Sequence, residues 1–284
     1  MVYKPHVNKP CRPMALTQKK EKLVQVLKEH SPLAVAVSGG NDSALVLAVA
    51  KQVMGDGVIA VTSVSPLHGE KARADALRIA SEIGVQILEV ESARLEHTEF
   101  VENRTNRCYT CKTIMFNELQ AAARNHGAGY LADGVCADDF DEYRPGLAAG
   151  RECGVVSPLA LAGFSKTDIR KLSKEIGLST WNKPPGACLA TRIPYGTPIT
   201  PDLLDMIGRA ERLVLDEGFS FCRVRYHGKM AKIEVPADEV QRLVERETRE
   251  RIITGIKKIG FSMVCADLSG YLSGSMDILA GNRA

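Results

Sequence analysis

Apolar residues in the first half of the chain alternate between two kinds of segment. Residues 17–30 (TQKKEKLVQVLKEH) put Leu23, Val26 and Leu27 on one face of a helix, with Thr17 as its cap. Leu33-Ala-Val-Ala-Val37 is a short apolar run suited to a buried strand. Ser38-Gly-Gly-Asn-Asp-Ser43 follows and leads into an apolar helix, Ala44 to Val53. Val58 to Thr62 reads as a second buried strand, Gly69 to Ile83 as a helix and Val85 to Val90 as a strand. Residues 109–126 form a helix ending near Gly127, and Tyr130-Leu-Ala-Asp-Gly134 is a strand end running into a loop. Strands alternating with helices predict an α/β fold with a doubly wound parallel sheet. Such sheets bind ligands beyond the carboxyl ends of their strands. Ser38–Ser43, Ser63–Leu67 and Asp133–Asp141 are therefore expected to converge on one crevice.

The pattern changes after Ser165. Lys166 to Ile176 reads as a helix closed by Gly177. Trp181 to Pro201 carries five prolines, too many for regular structure, and its length marks a functional loop or linker. Beyond it come a helix (202–217), strands at 219–226 and 230–235 joined by a hairpin turn at His227-Gly228-Lys229, a long helix (237–258) and a strand (261–267). This αββαβ order predicts a smaller C-terminal α+β domain, 181–284, after a first domain at 15–180.

Composition narrows the class. Hydrophobic residues make up 45% and charged residues 25%, which suits a globular protein with a real core. The net charge of +3 comes without a long basic run, so it does not predict a nucleic-acid binder and is compatible with anionic substrates such as nucleotides. No apolar stretch is long enough to span a bilayer, and Met1 to Arg12 lacks the apolar region of a secretory signal. The expected location is the cytoplasm, with no membrane partner. Eight cysteines there imply reduced thiols, metal ligation or catalysis rather than a disulfide framework. Cys11, Cys136, Cys153, Cys222 and Cys265 are scattered singly and read as small packing residues.

The segment Ser38–Ser43 carries the strongest chemical signal. Two glycines between a buried strand and a helix let the backbone approach an oxyanion, and the N–H groups and dipole at the helix start favour negative charge. Ser38 and Ser43 add hydroxyls. Asp42 repels phosphate directly, so its expected role is to hold Mg²⁺ that bridges phosphate oxygens. Asp133 or Asp138 would assist, the alternative for both being loop capping. The chain has no Walker G-x-x-x-x-G-K-[ST], and this turn lacks G-x-G-x-x-G spacing. The residues resemble the PP-loop ATP pyrophosphatases, whose pattern is SGGxDS. The resemblance implies ATP cleaved between its α- and β-phosphates, with Ser38, Gly39, Gly40, Asn41, Asp42, Ser43, Ser63, Asp133 and Gly134 at the nucleotide.

Arg107-Cys-Tyr-Thr-Cys-Lys112 places a C-x-x-C just before a helix, and Cys188 lies in the proline-rich segment. Two thiols so spaced can share a soft metal centre, and a third would leave one iron of a cubane open to carry sulfide. Alternatively, Cys108 and Cys111 form a disulfide while Cys188 carries a persulfide, with the helix N-terminus and Arg107 lowering a thiol pKa. A structural zinc half-site or unlinked thiols is the third reading. Arg192, Arg223 and Arg225 are candidate anion clamps, and Arg223 and Arg225 share a strand face. A solvated strand face is the alternative for that pair.

Taken together, the motifs resemble the LarE-type ATP-dependent sulfur transferases within the PP-loop superfamily. The likeness runs from Thr17 to Ala280. It includes Ser65-Pro-Leu67, RCYxCK, ADGxxADDxxxxRPG (132–146) and Ser157-Pro-Leu159. It continues with Thr180-Trp-Asn-Lys-Pro184, Cys188 to Gly196, Arg223 to Gly228 and Ser273-Gly-Ser-Met276. The resemblance implies adenylation of a carboxylate of pyridinium-3,5-biscarboxylic acid mononucleotide and its conversion to a thiocarboxylate, in nickel-pincer nucleotide biosynthesis. It implies Cys108, Cys111, Cys188 and Asp42 as catalytic residues, ATP, Mg²⁺ and a 4Fe-4S cluster as cofactors, and a homo-oligomer. The sacrificial cysteine of other members falls near Ala187 here, and the three-cysteine pattern matches the cluster-dependent members. Leu272 stands where a basic residue is common and Asp277 where asparagine is usual. The rival functions are a tRNA thiolase, an amidating enzyme of the NAD synthetase type, and a non-catalytic nucleotide sensor.

Overall fold

A computed structural model describes residues 14–141, 145–184 and 186–272. They form two compact units that interleave along the chain. The first takes the described residues up to Ser63, Ala74–Val90 and Phe116–Pro184; the second takes Val64–Arg73, Glu91–Met115 and the described residues from 186 onward.

The first unit is built on a four-stranded sheet. Its strands are β1 (Leu33–Ala36), β2 (Val58–Val64), β3 (Ile87–Glu91) and β4 (Tyr130–Ala132), in the order β3-β2-β1-β4. β1 pairs in parallel with β2 (Leu33 opposite Val58) and with β4 (Leu33 opposite Tyr130), and Val156 extends the sheet beside Ala132. Successive strands step outward from β1 through β2 to β3, and β4 then returns to the other side of β1. The strand order therefore reverses between β1 and β4, the place where open α/β sheets leave a crevice for ligands.

Helix α1 (Leu16–Glu29) buries Leu23, Val26 and Leu27, the predicted stripe. Thr17 lies inside its first turn rather than capping it, and Gln18 Oε1 instead accepts the N–H of Ala15. α2 (Asn41–Met54) begins three residues earlier than its apolar run, so Asn41, Asp42 and Ser43 form its first turn. It is buried nearly all round because α1 and α8 (Lys166–Glu175) both pack on it. Between these lie α3 (Glu70–Ile83), α4 (Thr98–Val101), α5 (Arg107–Asn125), α6 (Gly146–Glu152) and α7 (Pro158–Leu161). α8 starts with a capping box: Ser165 Oγ accepts the Asp168 N–H, and the Asp168 carboxylate accepts the Ser165 N–H.

In the second unit, α9 (Pro201–Asp216) is capped by Thr200, with proline at its first position. The strands β5 (Arg223–His227) and β6 (Met230–Glu234) form a hairpin closed by Gly228-Lys229, with Gly228 at φ 66° as such a tight turn requires. β7 (Met263–Ala266) lies parallel to β6. The helix expected over 237–258 is broken at Glu245, giving α10 (Val240–Val244) and α11 (Arg246–Ile259). The buried side chains explain the break. Leu243 followed four residues later by Glu247 would bury a carboxylate; the interruption instead phases Thr248, Ile252 and Ile256 inward. The strand expected from residue 219 begins only at Arg223.

Candidate phosphate loop and thiol site

The phosphate loop leaves the carboxyl end of β1 at the strand-order reversal. Gly39 adopts φ 75°, which favours glycine, and Gly40 caps α2 without a side chain that could occupy the first-turn N–H groups. Ser43 Oγ donates to the Gly40 carbonyl (3.2 Å), accepts the Ser38 N–H (3.3 Å) and lies 3.4 Å from Ser38 Oγ. The loop is thus tied across its own mouth. Just beyond the end of β4, Gly134 presses on it: a Cβ there would stand 2.7 Å from Ser43 N and 3.0 Å from Asp42 C. Both are backbone atoms, so the fit depends on the absence of a side chain. Gly134→Ala is expected to push the first turn of α2 off the end of β4, costing roughly 1–3 kcal/mol and lowering ATP affinity. Denaturant melts and ATP titration would check this; an unchanged variant in both would refute it.

Two of the three expected segments, Ser38–Ser43 and Asp133–Asp141, meet here, through Gly134 against Ser43 and through Lys166, which reaches both Asp42 and Asp139. The third, Ser63–Leu67, is divided: Ser63 belongs to the first unit and Val64–Leu67 to the second. The acidic residues take different parts. Asp133 Oδ1 accepts the Val135 N–H (3.1 Å) and the Ser157 hydroxyl (2.8 Å), and Asp138 accepts the Lys166 N–H at the start of α8 (2.7 Å). Both carry out the loop capping weighed against metal binding. Asp42, one-third exposed, pairs with Lys166 Nζ at 2.6 Å; Asp139 lies 3.2 Å from the same ammonium. Burial works against the Lys166 charge, but its hydrogen bond to Asp42 and the fields of Asp42 and Asp139 outweigh that and raise its pKa. Mg²⁺ bound with a nucleotide takes most of its ligands from phosphate and water, so the one carboxylate of Asp42 fits that need.

Lys166 carried no local signal, since its partners lie far off in sequence. Lys183 lies inside the Thr180–Pro184 motif, yet its contact is not legible from it: its ammonium donates to the Gly39 carbonyl (2.6 Å) and to Asp75 (2.5 Å). Thr180 donates to Asn41 Oδ1 (3.1 Å), with both side chains buried.

The thiol site lies within the second unit. Cys108 and Cys111 sit in the first turn of α5, not before it, three apart on one helix face. Cys188 precedes a single 3-10 turn, Leu189–Arg192. Tertiary bonds bring the two stretches together. Leu189 N donates to Leu67 O (2.8 Å), and Asn103 Nδ2 donates to the Pro194 and Thr197 carbonyls (2.8 Å each). Arg107 donates to Asn103 Oδ1 (2.6 Å) and to Ile193 O (3.1 Å) and stacks on Tyr195. All three thiols are half-buried.

Their protonation differs from expectation. Burial pushes the Cys108 pKa up, Cys188 and Cys111 add to the rise, and Arg107 only partly offsets it. Burial likewise raises Cys111, against the pull of Arg94, which donates to its sulfur at 3.4 Å. The helix start and Arg107 therefore do not yield a low-pKa thiol, because desolvation of a thiolate costs more than they return. His68 is exposed at the surface; desolvation against its neighbours and then the charges of Arg94, Lys112 and Arg192 lower its pKa.

Among the described residues, no three His, Cys, Asp or Glu side chains are gathered to hold one metal ion. The three thiols nevertheless lie within one another's electrostatic reach, surrounded by Arg94, Arg107 and Lys112. A cluster of several irons spaces its thiolates more widely than a single ion does, and its negative charge suits cationic neighbours. The three thiols are the residues that would hold such a group.

The three arginines are largely engaged within the protein. Arg192, 1% exposed, binds both oxygens of Glu211 (2.7 and 3.1 Å) and donates to the Ala187 and Cys188 carbonyls (3.0 and 2.9 Å). It shapes the Cys188 loop instead of waiting for a ligand. Arg225 pairs with buried Glu234 (2.9 Å) and donates to Thr191 O (3.0 Å), which likewise removes it as a free anion clamp. Arg223 is less committed: it stacks on Phe221, donates to Cys222 O (3.1 Å) and approaches Glu211 only to 4.0 Å. Burial and neighbouring Arg192 make its charge costly and lower its pKa, so an arriving anion would be favoured there. Cys136 and Cys222 are buried, Cys153 and Cys265 half-buried, and Cys11 and residues 273–277 lie outside the described residues. No helix among the described residues is long and apolar enough to cross a membrane.

No protein-family model matches the chain. It is similar to an uncharacterized protein of Synechocystis sp., 37% identical over 262 residues, 92% of this chain and 98% of that protein. It is also similar to the pyridinium-3,5-bisthiocarboxylic acid mononucleotide synthase of Lactiplantibacillus plantarum, 35% identical over 263 residues, 92% of this chain and 95% of that enzyme. A more partial likeness, 32% identity over 199 residues, joins 64% of this chain to 63% of one subunit of the glutamine-hydrolyzing GMP synthase of Thermoplasma acidophilum.

Proposed function

The chain belongs to the LarE family within the PP-loop superfamily, and on that premise we propose that it is an ATP-dependent sulfur transferase of nickel-pincer nucleotide biosynthesis. It adenylates a carboxylate of pyridinium-3,5-biscarboxylic acid mononucleotide, releasing pyrophosphate, and then exchanges the adenylate for sulfur to leave a thiocarboxylate and AMP. The product named for the Lactiplantibacillus plantarum relative is the bisthiocarboxylic form of that nucleotide. The observation that carries the reading is the loop Ser38–Ser43 at the strand-order reversal, tied by Ser43 and pressed by Gly134.

Gly39, Gly40, Asn41 and Ser43 hold the phosphates, Asp42, paired here with Lys166, would hold Mg²⁺ to neutralise phosphate charge, and Ser63 stands at the end of β2. The chemistry is positioning and charge neutralisation: the carboxylate must be held in line with the α-phosphorus. Arg223 receives the substrate's own phosphate, the role for which it has fewest internal bonds. Cys108, Cys111 and Cys188 would hold a 4Fe-4S cluster, which would supply the sulfide. The protein works in the cytoplasm as a homo-oligomer.

Anaerobic turnover with ATP and the pyridinium dicarboxylate nucleotide tests the reading, with products identified by mass. AMP, pyrophosphate and a thiocarboxylate are expected, from brown protein containing about four irons. A carboxamide formed with ammonia, or tRNA retained on a filter and thiolated, would replace the proposal. Colourless, zinc-bearing protein would remove the cluster.

A further inference from the structure

We propose that Lys183 is a positioning residue of the phosphate loop, locking the peptide between Gly39 and Gly40 so that an N–H, not a carbonyl, faces the nucleotide. The inference rests on the ATP-binding reading above.

The two glycines that allow close approach to phosphate also leave the peptide between them free to rotate, because neither flanking residue has a Cβ to restrict it. A trans peptide directs its C=O and N–H to opposite sides. Turned over, peptide 39–40 would present a carbonyl dipole to an anion and repel it. The bonds within the loop fix its neighbours. Upstream, the Ser38 N–H is held by Ser43 Oγ. Downstream, the Gly40 carbonyl takes the Ala44 N–H (3.2 Å) and the Ser43 hydroxyl, and Asn41 is pinned by Thr180. The Gly39 carbonyl is gripped by the ammonium of Lys183 at 2.6 Å, a charge-assisted bond. Asp75 of α3 anchors that ammonium from a second side at 2.5 Å. Thr180 and Lys183 thus hold the loop on either side of Gly40, from one short segment.

Binding of Mg·ATP and of adenosine by the full chain, measured by calorimetry, separates the outcomes. Lys183→Met should weaken Mg·ATP roughly tenfold to a hundredfold, the loss of one charge-assisted bond, and leave adenosine binding unchanged. Lys183→Arg should restore most of the affinity. Asp75→Asn, which keeps the lysine but removes its anchor, should move Mg·ATP in the same direction by less; it also serves if Lys183→Met folds poorly. Equal losses for ATP and adenosine, or an unchanged ATP affinity in Lys183→Met, would overturn the proposal while the ATP reading stands. Wild-type protein that binds no ATP would overturn both.

Discussion

Cys188→Ala is expected to release pyrophosphate and form the acyl-adenylate as the wild type does in a single turnover, while making no detectable thiocarboxylate. The two half-reactions draw on separate residues: the phosphate loop belongs wholly to the first unit and the three thiols to the second. Losing the sulfur should not collapse the loop that carries it. Arg192 holds that loop through the main-chain carbonyls of residues 187 and 188, and Leu189 N is bonded to Leu67 O; alanine keeps both. Cys188 is only half-buried, so the stability change should stay within about 1 kcal/mol. Parallel assays of pyrophosphate and of product mass decide the matter. Undiminished thiocarboxylate would exclude the thiol, and simultaneous loss of pyrophosphate release would show that sulfur delivery and adenylation are not separable.

Asp42→Ala should lower pyrophosphate release roughly a thousandfold, since a metal ion supplies several kcal/mol of charge stabilisation in such transfers and each 1.36 kcal/mol is tenfold. Unfolding does not provide an easy alternative explanation. The Asp42–Lys166 pair is 33–40% exposed, which limits its worth to about 0–1 kcal/mol. Lys166 also keeps Asp139, 3.2 Å away, so no buried charge is stranded. Rates across a Mg²⁺ titration, taken with a thermal melt, check this. A variant that melts normally and still turns over would leave Asp42 with no metal role.

Much of the first unit was legible because buried parallel strands need continuous apolar runs and the helices between them need one apolar stripe. Leu33–Val37 and Leu23/Val26/Leu27 are such patterns, and the structure follows them within a residue or two. The loop was legible for a related reason: glycine at 39 answers to a local backbone demand, φ 75°. The break at Glu245 was not, because helix propensity runs straight through it and only the facing core requires the shift in phase. Arg223 and Arg225 share a strand face, as a period of two dictates, but the carboxylates that meet them come from β6 and α9. Which guanidinium remains available to a ligand was therefore out of reach of local pattern.

By itself the sequence determined the α/β class, the phosphate loop and the number and spacing of thiols, since each rests on residues adjacent in the chain and on short-range sterics. The tertiary structure alone decided the electrostatics. It paired Asp42 with Lys166, set Lys183 on the Gly39 carbonyl, and buried Cys108 and Cys111 deeply enough that desolvation outweighs the arginines beside them. Charge interactions and burial depend on distance through space, and here the partners stand as many as 144 residues apart along the chain.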